Sequence, residues 1–328
     1  MDIQCAGKTD IGLVREANED SFRLLPHKNL YIVCDGMGGH SAGEVASATA
    51  CDIIVRLYDQ GFERLLQDDH LRLPRLFPPS TDVLTKAVRI ANHWIYHLAS
   101  SDSSMSGMGT TIVAAAIEED IITILHVGDS RVYRYNDGIL ERLTIDHSWA
   151  AEIEQAEHVS AEEARRMVNR NVITRALGVR ETAEIDVAIR KIVSGDTYIL
   201  CSDGLCGLVK DDDIRRVIAG GHGDVETIAG QLIELANNRG GTDNVSVIAV
   251  KTTGEIEPST LTEMATVTVD PEPPEFFPIE EEWVTGRDNP SGATPPNGKK
   301  SGSRLFRVTA AVAIVILLAF LFYMVFKG

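Results

Sequence analysis

Basic residues are scarce: 31 Lys and Arg stand against 48 Asp and Glu in 328 residues, a formal net charge of −17. That deficit excludes a nucleic-acid binder working through a basic face. It suits a protein that gathers divalent cations, although acidity by itself commonly serves only solubility. Cysteine is also sparse. Cys5, Cys34, Cys51, Cys201 and Cys206 form an odd set with no CxxC pair, each among apolar or small neighbours. That speaks against a disulfide framework and for a reducing compartment. At the N-terminus no basic stretch leads into an apolar run, so no signal peptide is read there.

Three zones differ in composition. Residues 1–252 mix alternating and helical patterns and read as one catalytic-sized domain. Residues 253–303 read as a disordered acidic tether: the stretch 254–298 holds eight of the twelve prolines and ten acidic residues against the single Arg287. Such a segment has little apolar surface to bury. Residues 304–328 read as a C-terminal membrane anchor. Val308–Phe326 is an uncharged run of 19 residues, long enough to cross a bilayer as a helix. Lys299, Lys300, Arg304 and Arg307 precede it and only Lys327 follows, which predicts that the N-terminal domain stays in the cytoplasm.

Within the first zone, alternation predicts strands at 3–7, 22–25, 30–34, 110–117, 121–126, 131–135, 139–143, 185–189, 197–201 and 245–250. Helical spacing is read at 42–58, 82–99, 211–219 and 225–238, with a polar, proline-bearing insertion at 59–81. Strand runs and helix pairs in separate blocks indicate an α+β fold with stacked sheets.

The chemistry lies in where the acids fall. Asp35 closes the apolar strand of YIVCDG, Asp129 that of ILHVGD and Asp203 that of YILCSD, while Asp243 opens the strand of TDNVSV. One Asp-Gly pair is ordinarily a turn. Four acids at strand ends gain meaning if the ends converge, because their mutual repulsion then calls for cations. With neither Cys nor His at ligand spacing, the donors are all oxygen and suit Mg²⁺ or Mn²⁺ better than Zn²⁺. Two such ions about 3.5–4 Å apart can deprotonate a shared water and stabilise displacement at phosphorus. Arg15, just before Asn18-Glu19-Asp20, is the candidate clamp for a phosphate.

Eight stretches in order resemble the metal-dependent Ser/Thr protein phosphatases of type 2C in their bacterial form. They are GLVREANEDS (12–21), VCDGMGGH (33–40), MGTT (108–111), HVGDSRVYR (126–134), LTIDHS (143–148), ITRALG (173–178), CSDGL (201–205) and GTDNVSV (241–247). The resemblance implies a four-layer αββα sandwich, two stacked and mainly antiparallel sheets flanked by helix pairs. It implies hydrolysis of phosphoserine and phosphothreonine on proteins by a water bridging two Mn²⁺ or Mg²⁺ ions. Asp35 would bridge the metals and Gly36 would offer its carbonyl, with Asp203 and Asp243 completing one shell. Asp129, with Asp203, would hold the third ion of bacterial members. Glu19 and Asp20 would orient water, Arg15 would bind substrate phosphate, and Thr110 and Asn244 would buttress the site.

Animal members carry a histidine where this chain has Met37, which cannot give a proton. His40 nearby is either that acid or a residue at a helix start; His126 and His147 read as structural. Residues 147–180 correspond to the variable flap, whose charged stretch 161–170 either touches the substrate or is a solvated helix face. Bacterial relatives oppose Ser/Thr kinases of the eukaryotic-like type, so a cognate kinase at the bacterial inner membrane is the expected partner. The alternatives are a phosphatase-like scaffold without activity and an enzyme for small phosphoesters.

Overall fold

Alternating apolar residues build the strands, and twelve of them occur among the described residues of this computed structural model: 1–38, 42–67, 73, 77–157, 172–255 and 265–269. β1 (Asp2–Asp10), β7 (Arg131–Asn136), β8 (Ile139–Arg142), β10 (Thr197–Cys201) and β11 (Val245–Thr253) form one sheet in the order β1-β11-β10-β7-β8. The second sheet takes β2 (Asp20–Leu25), β3 (Leu30–Met37), β5 (Ile112–Glu118), β6 (Ile121–Val127), β9 (Ile185–Lys191) and β12 (Ala265–Val269) in the order β12-β9-β6-β5-β3-β2. The short β4 (Gly109–Thr110) pairs with the end of β3. Every pairing among these strands is antiparallel.

The inner faces of the two sheets share one apolar core. Tyr31, Val33 and Ile124 from the second sheet meet Tyr198, Leu200 and Ile248 from the first. Helices cover the outer faces. α1 (Ala42–Asp59) packs on β3 and against α3 (Pro79–Ser101). The stripe Val83, Leu84, Ala87, Val88, Ala91 and Ile95 turns the buried side of α3 inward at helical spacing. On the other side, α5 (Asp211–Gly220) and α6 (Val225–Asn238) cover the first sheet with Ile214, Ile218, Ile228, Leu232 and Ala236. The α+β sandwich read from the sequence is the one observed. Asp137 and Gly138 form the two-residue turn between β7 and β8. Asp137 and Gly138 both have positive φ, 47° and 81°, as a tight hairpin with right-handed strand twist requires.

Three local differences have physical causes. The insertion at 59–81 contains α2 (Phe62–Gln67), whose Leu65 is 1% exposed and whose carbonyl accepts from Lys86 Nζ at 2.8 Å. α3 starts at Pro79, three residues early, because proline suits the first turn of a helix. The tether read from 253 onward contributes a strand. The β-branched run Thr266-Val267-Thr268-Val269 pairs with β9, so ordered chain extends past 252. The chain divides into two units, Met1–Pro278 and Ile279–Gly328. The second unit lies outside the described residues, and with it the segment read as an anchor, 304–328, as do the charged stretch 161–170 and His40.

Leu200 is fully buried between the sheets. Leu200→Ala is expected to destabilise the domain by about 2–5 kcal/mol, read from the midpoint of urea unfolding. A loss below about 1 kcal/mol would mean that the inter-sheet core is not packed as described.

Candidate active site

The acids sit where strands end, and the register of the sheets brings those ends together. Asp20 opens β2 directly across from Asp35 on β3. Asp35 is locked from its other side: its N–H donates to Thr111 Oγ1 at 3.1 Å, and its carbonyl accepts from Thr111 N at 2.9 Å and from Thr110 Oγ1 at 2.9 Å. Asp129 follows β6 at the turn into β7. Asp203 begins the short helix α4 (Asp203–Cys206) at the end of β10, and Asp243 lies just before β11. Because β10 pairs with β11, Asp203 and Asp243 are neighbours. Gly204 makes that approach possible, since a Cβ there would stand 1.9 Å from the Asn244 carbonyl oxygen. Gly36 plays the same part on β3, where a Cβ would lie 2.1 Å from the Gly43 carbonyl oxygen.

These acids act on one another electrostatically. Burial pushes Asp35 well above the usual carboxylate range, and Asp20, Asp203, Asp129 and Asp243 add repulsion. Asp129 is raised to about 7 by burial and then by Asp203 and Asp146. Asp20 also reaches about 7. Burial drives it up, hydrogen bonds from Ser202 and Ser246 pull it down, and Asp203 and Asp243 repel it. Asp203 is raised by burial and Asp243, against a hydrogen bond with Asp35 and the charges of Arg15 and Arg131. Burial raises Glu19 as well, opposed by Arg15.

Arg15 stands at the rim, its side chain half exposed, with Nη2 donating to Asp243 Oδ2 at 2.7 Å. Its loop is held by Asn244. The Asn244 side chain donates to the carbonyls of Ile11 at 3.0 Å and Ala17 at 2.9 Å, and accepts from Glu19 N–H at 2.8 Å. Beside the acids a cavity of about 200 Å³ is lined by Asp129, Arg131, Asp146, Asp203 and Asp243 among others.

A family model described as protein phosphatase 2C matches residues 14–227. The chain belongs to the protein phosphatase 2C family. It is 34% identical over 250 residues to the serine/threonine phosphatase stp of Listeria monocytogenes, a match covering 74% of this chain and 94% of that one. The crystal structure of the serine/threonine phosphatase PstP of Mycobacterium tuberculosis matches with a TM-score of 0.65 and 35% identity, over 77% of this chain and 99% of that one. The catalytic domain of PstP in complex with two manganese ions matches with a TM-score of 0.64 and 34% identity, over 77% and 99% of the two chains. PppA, a regulatory component of the type VI secretion system of Pseudomonas aeruginosa, matches at 0.63 and 31%, over 76% and 97%.

The donor set of this phosphatase 2C chain suits a hard divalent cation. It is oxygen throughout, its carboxylates repel one another, and Asp20 Oδ1 and Glu19 Oε1 are buried with no hydrogen-bond partner among the described residues. A second group of metal-ligating types does not suit one. His126, His147 and Asp186 offer atoms within 4.8 Å of one another. However, His147 Nδ1 accepts the Gly128 N–H at 3.1 Å, which leaves the ring proton on Nε2, facing Asp186 Oδ2 at 3.1 Å. Arg175 Nη1 stands 3.2 Å from Asp186 Oδ1, so a cation would meet a guanidinium. His126 is buried and pushed down to about 3 by burial and by His147. The trio is thus a hydrogen-bonded ring beside an ion pair and not a cation site.

Sequence reading missed the residues that hold the acids. Ser202 Oγ donates to Asp20 Oδ2 at 2.7 Å and accepts Ser246 N–H at 2.9 Å. Arg131 grips Asp146 with two bonds, Nε to Oδ1 at 2.8 Å and Nη2 to Oδ2 at 2.6 Å. The available signal was a polar or charged residue inside an otherwise apolar strand, which burial permits only with a partner.

Asp20 and Asp129 at about 7 keep protons that the unfolded chain releases near pH 4. Folded chain thus binds more protons across that interval, and its stability falls as pH rises. Chelator-treated protein is expected to melt at lower temperature as pH goes from about 5 to 8, with Mn²⁺ restoring most at the upper end. A melting temperature that climbs over this range without metal would contradict the burial of these acids.

Proposed function

We propose that this chain hydrolyses phosphoserine and phosphothreonine in proteins at the acidic edge of the sandwich. The observation that carries the proposal is the meeting of Asp35, Asp129, Asp203 and Asp243, from four separate segments, beside the arginine of a fifth. Asp35, the Gly36 carbonyl, Asp203 and Asp243 would hold two Mn²⁺ or Mg²⁺ ions, and Asp129 with Asp203 a third. Bound there, such ions lower the pKa of water and offset charge at phosphorus.

The chain's own residues supply the rest. Arg15 spends only Nη2 on Asp243, so its remaining N–H groups can take the phosphate oxygens in the paired geometry a guanidinium favours. Glu19 Oε1 and Asp20 Oδ1 accept from water and fix its orientation. Ser202 holds Asp20, Asn244 holds the Arg15 loop, and Thr110 with Thr111 holds Asp35. Met37 gives no proton, so the departing serine oxygen takes its proton from water. The family resemblance to stp and PstP supports a protein substrate.

The uncharged run 308–326, behind its four basic residues, supports anchoring of the chain in the bacterial inner membrane with the phosphatase domain in the cytoplasm. The acidic, proline-rich segment before it supports a tether, and a domain so held would meet a membrane Ser/Thr kinase and its products at raised local concentration.

Asp35→Asn, assayed on a phosphoprotein with Mn²⁺, is expected to lower kcat by at least about 100-fold, because metal ions contribute several kcal/mol to such reactions. Arg15→Ala is expected to weaken kcat/KM by about 10–100-fold, the worth of a charged hydrogen bond, mainly through KM. Wild-type turnover in Asp35→Asn would remove the mechanism. For the anchor, full-length protein is expected in the membrane fraction and a chain ending at 303 in the soluble one; equal partition would refute the anchoring.

A further inference from the structure

Asp129 stands in a turn that its neighbours constrain closely. The preceding Gly128 has φ +113°, and a Cβ there would lie 2.6 Å from the Thr111 side chain, so only glycine fits. His147 holds this glycine at both polar atoms: its own N–H donates to the Gly128 carbonyl at 2.7 Å, and its ring Nδ1 accepts the Gly128 N–H at 3.1 Å. The other ring nitrogen is tied to Asp186 Oδ2 at 3.1 Å on β9. Asp186 Oδ1 in turn accepts from Thr268 Oγ1 at 2.8 Å on β12 and from Arg175 at 3.2 Å. Thus one unbroken path of hydrogen bonds runs from β12, which lies beyond the matched residues 14–227, to the Gly128 N–H, on the peptide just before the one that carries Asp129.

We propose that His147 is a positioning residue for Asp129, and that β12 sets its grip through Thr268 and Asp186. The inference rests on the phosphatase reading in one respect, that Asp129 holds a cation. Partners that orient ligands commonly alter metal affinity by about 10–100-fold when removed. His147 touches no reacting atom. Its contribution is to fix the direction of a carboxylate that would otherwise pay for its orientation at each binding event.

The test is Mn²⁺ binding to the purified full chain, followed by titration calorimetry and by the electron paramagnetic resonance of free Mn²⁺. His147→Leu keeps bulk but has no acceptor for the Gly128 N–H. It is expected to weaken the weakest Mn²⁺ site by about 10-fold or more. His147→Asn places Oδ1 near where Nδ1 stood and is expected to stay within about 3-fold of wild type. Equal affinities in the Leu and Asn variants would overturn the positioning role. Should His147→Leu fail to fold, the Asn variant is set against Thr268→Val, which removes only the outermost link and is expected to weaken the same site by about 2–3-fold. Wild-type affinity in Thr268→Val would overturn the part assigned to β12. Asp129→Asn separates the two readings. If it leaves Mn²⁺ binding unchanged, the role of Asp129 itself fails; if it abolishes the weak site while His147→Leu does not affect it, only the present inference fails.

Discussion

Repulsion among carboxylates in a half-buried space is the constraint on which the rest of this structure depends. Burial lifts Asp20, Asp35, Asp129 and Asp203, and repulsion from Asp203 or Asp243 adds to the cost of ionising each. A fold does not assemble such a set for stability, since apolar residues at the same strand ends would pack at no electrostatic cost. The arrangement persists because the surrounding structure determines it many times over. Strand register fixes Asp20 against Asp35, and the two glycines Gly36 and Gly204 let backbone come closer than any side chain would permit.

Around this centre lies a layer of neutral donors. Ser202, Ser246, Thr110, Thr111 and Asn244 are all buried, and each spends its hydrogen bonds on an acid, a neighbouring donor or the backbone that carries one. Neutral donors can orient a carboxylate without neutralising it, so the charge stays available to a cation. Among the described residues, two arginines stand beside the acids: Arg15 at the rim, and Arg131 locked onto Asp146. A free arginine among the four acids would compete for the very oxygens that the site needs.

The division of labour between sheets and loops follows from this. The sandwich interior is dry and apolar, with Tyr198, Leu200 and Ile248 against Tyr31 and Ile124, and rigid strands deliver the acids. The arginine rides on a loop, but a loop tied at Ile11, Ala17 and Glu19 to a single asparagine just before β11. Substrate phosphate would therefore meet a clamp whose backbone is already placed, and only the half-exposed side chain need move.

Much of this was legible along the chain. Alternation marked ten of the strands, and the acids at Asp35, Asp129, Asp203 and Asp243 stood out because each interrupts or borders an apolar run. Patterns of period two and 3.6 are local, and local rules suffice for them. The strand at 265–269 was not legible, because a short Thr-Val alternation inside an acidic, proline-rich stretch becomes a strand only when β9 offers it an open edge. Nor could the sequence reveal that Ser202 holds Asp20, 182 positions away, or that His147 and Thr268 join through Asp186. Residue types and their order determined the class of fold and which side chains carry the chemistry. Tertiary structure alone decided which of them meet, because hydrogen bonds and repulsion act over a few ångströms of space irrespective of distance along the chain.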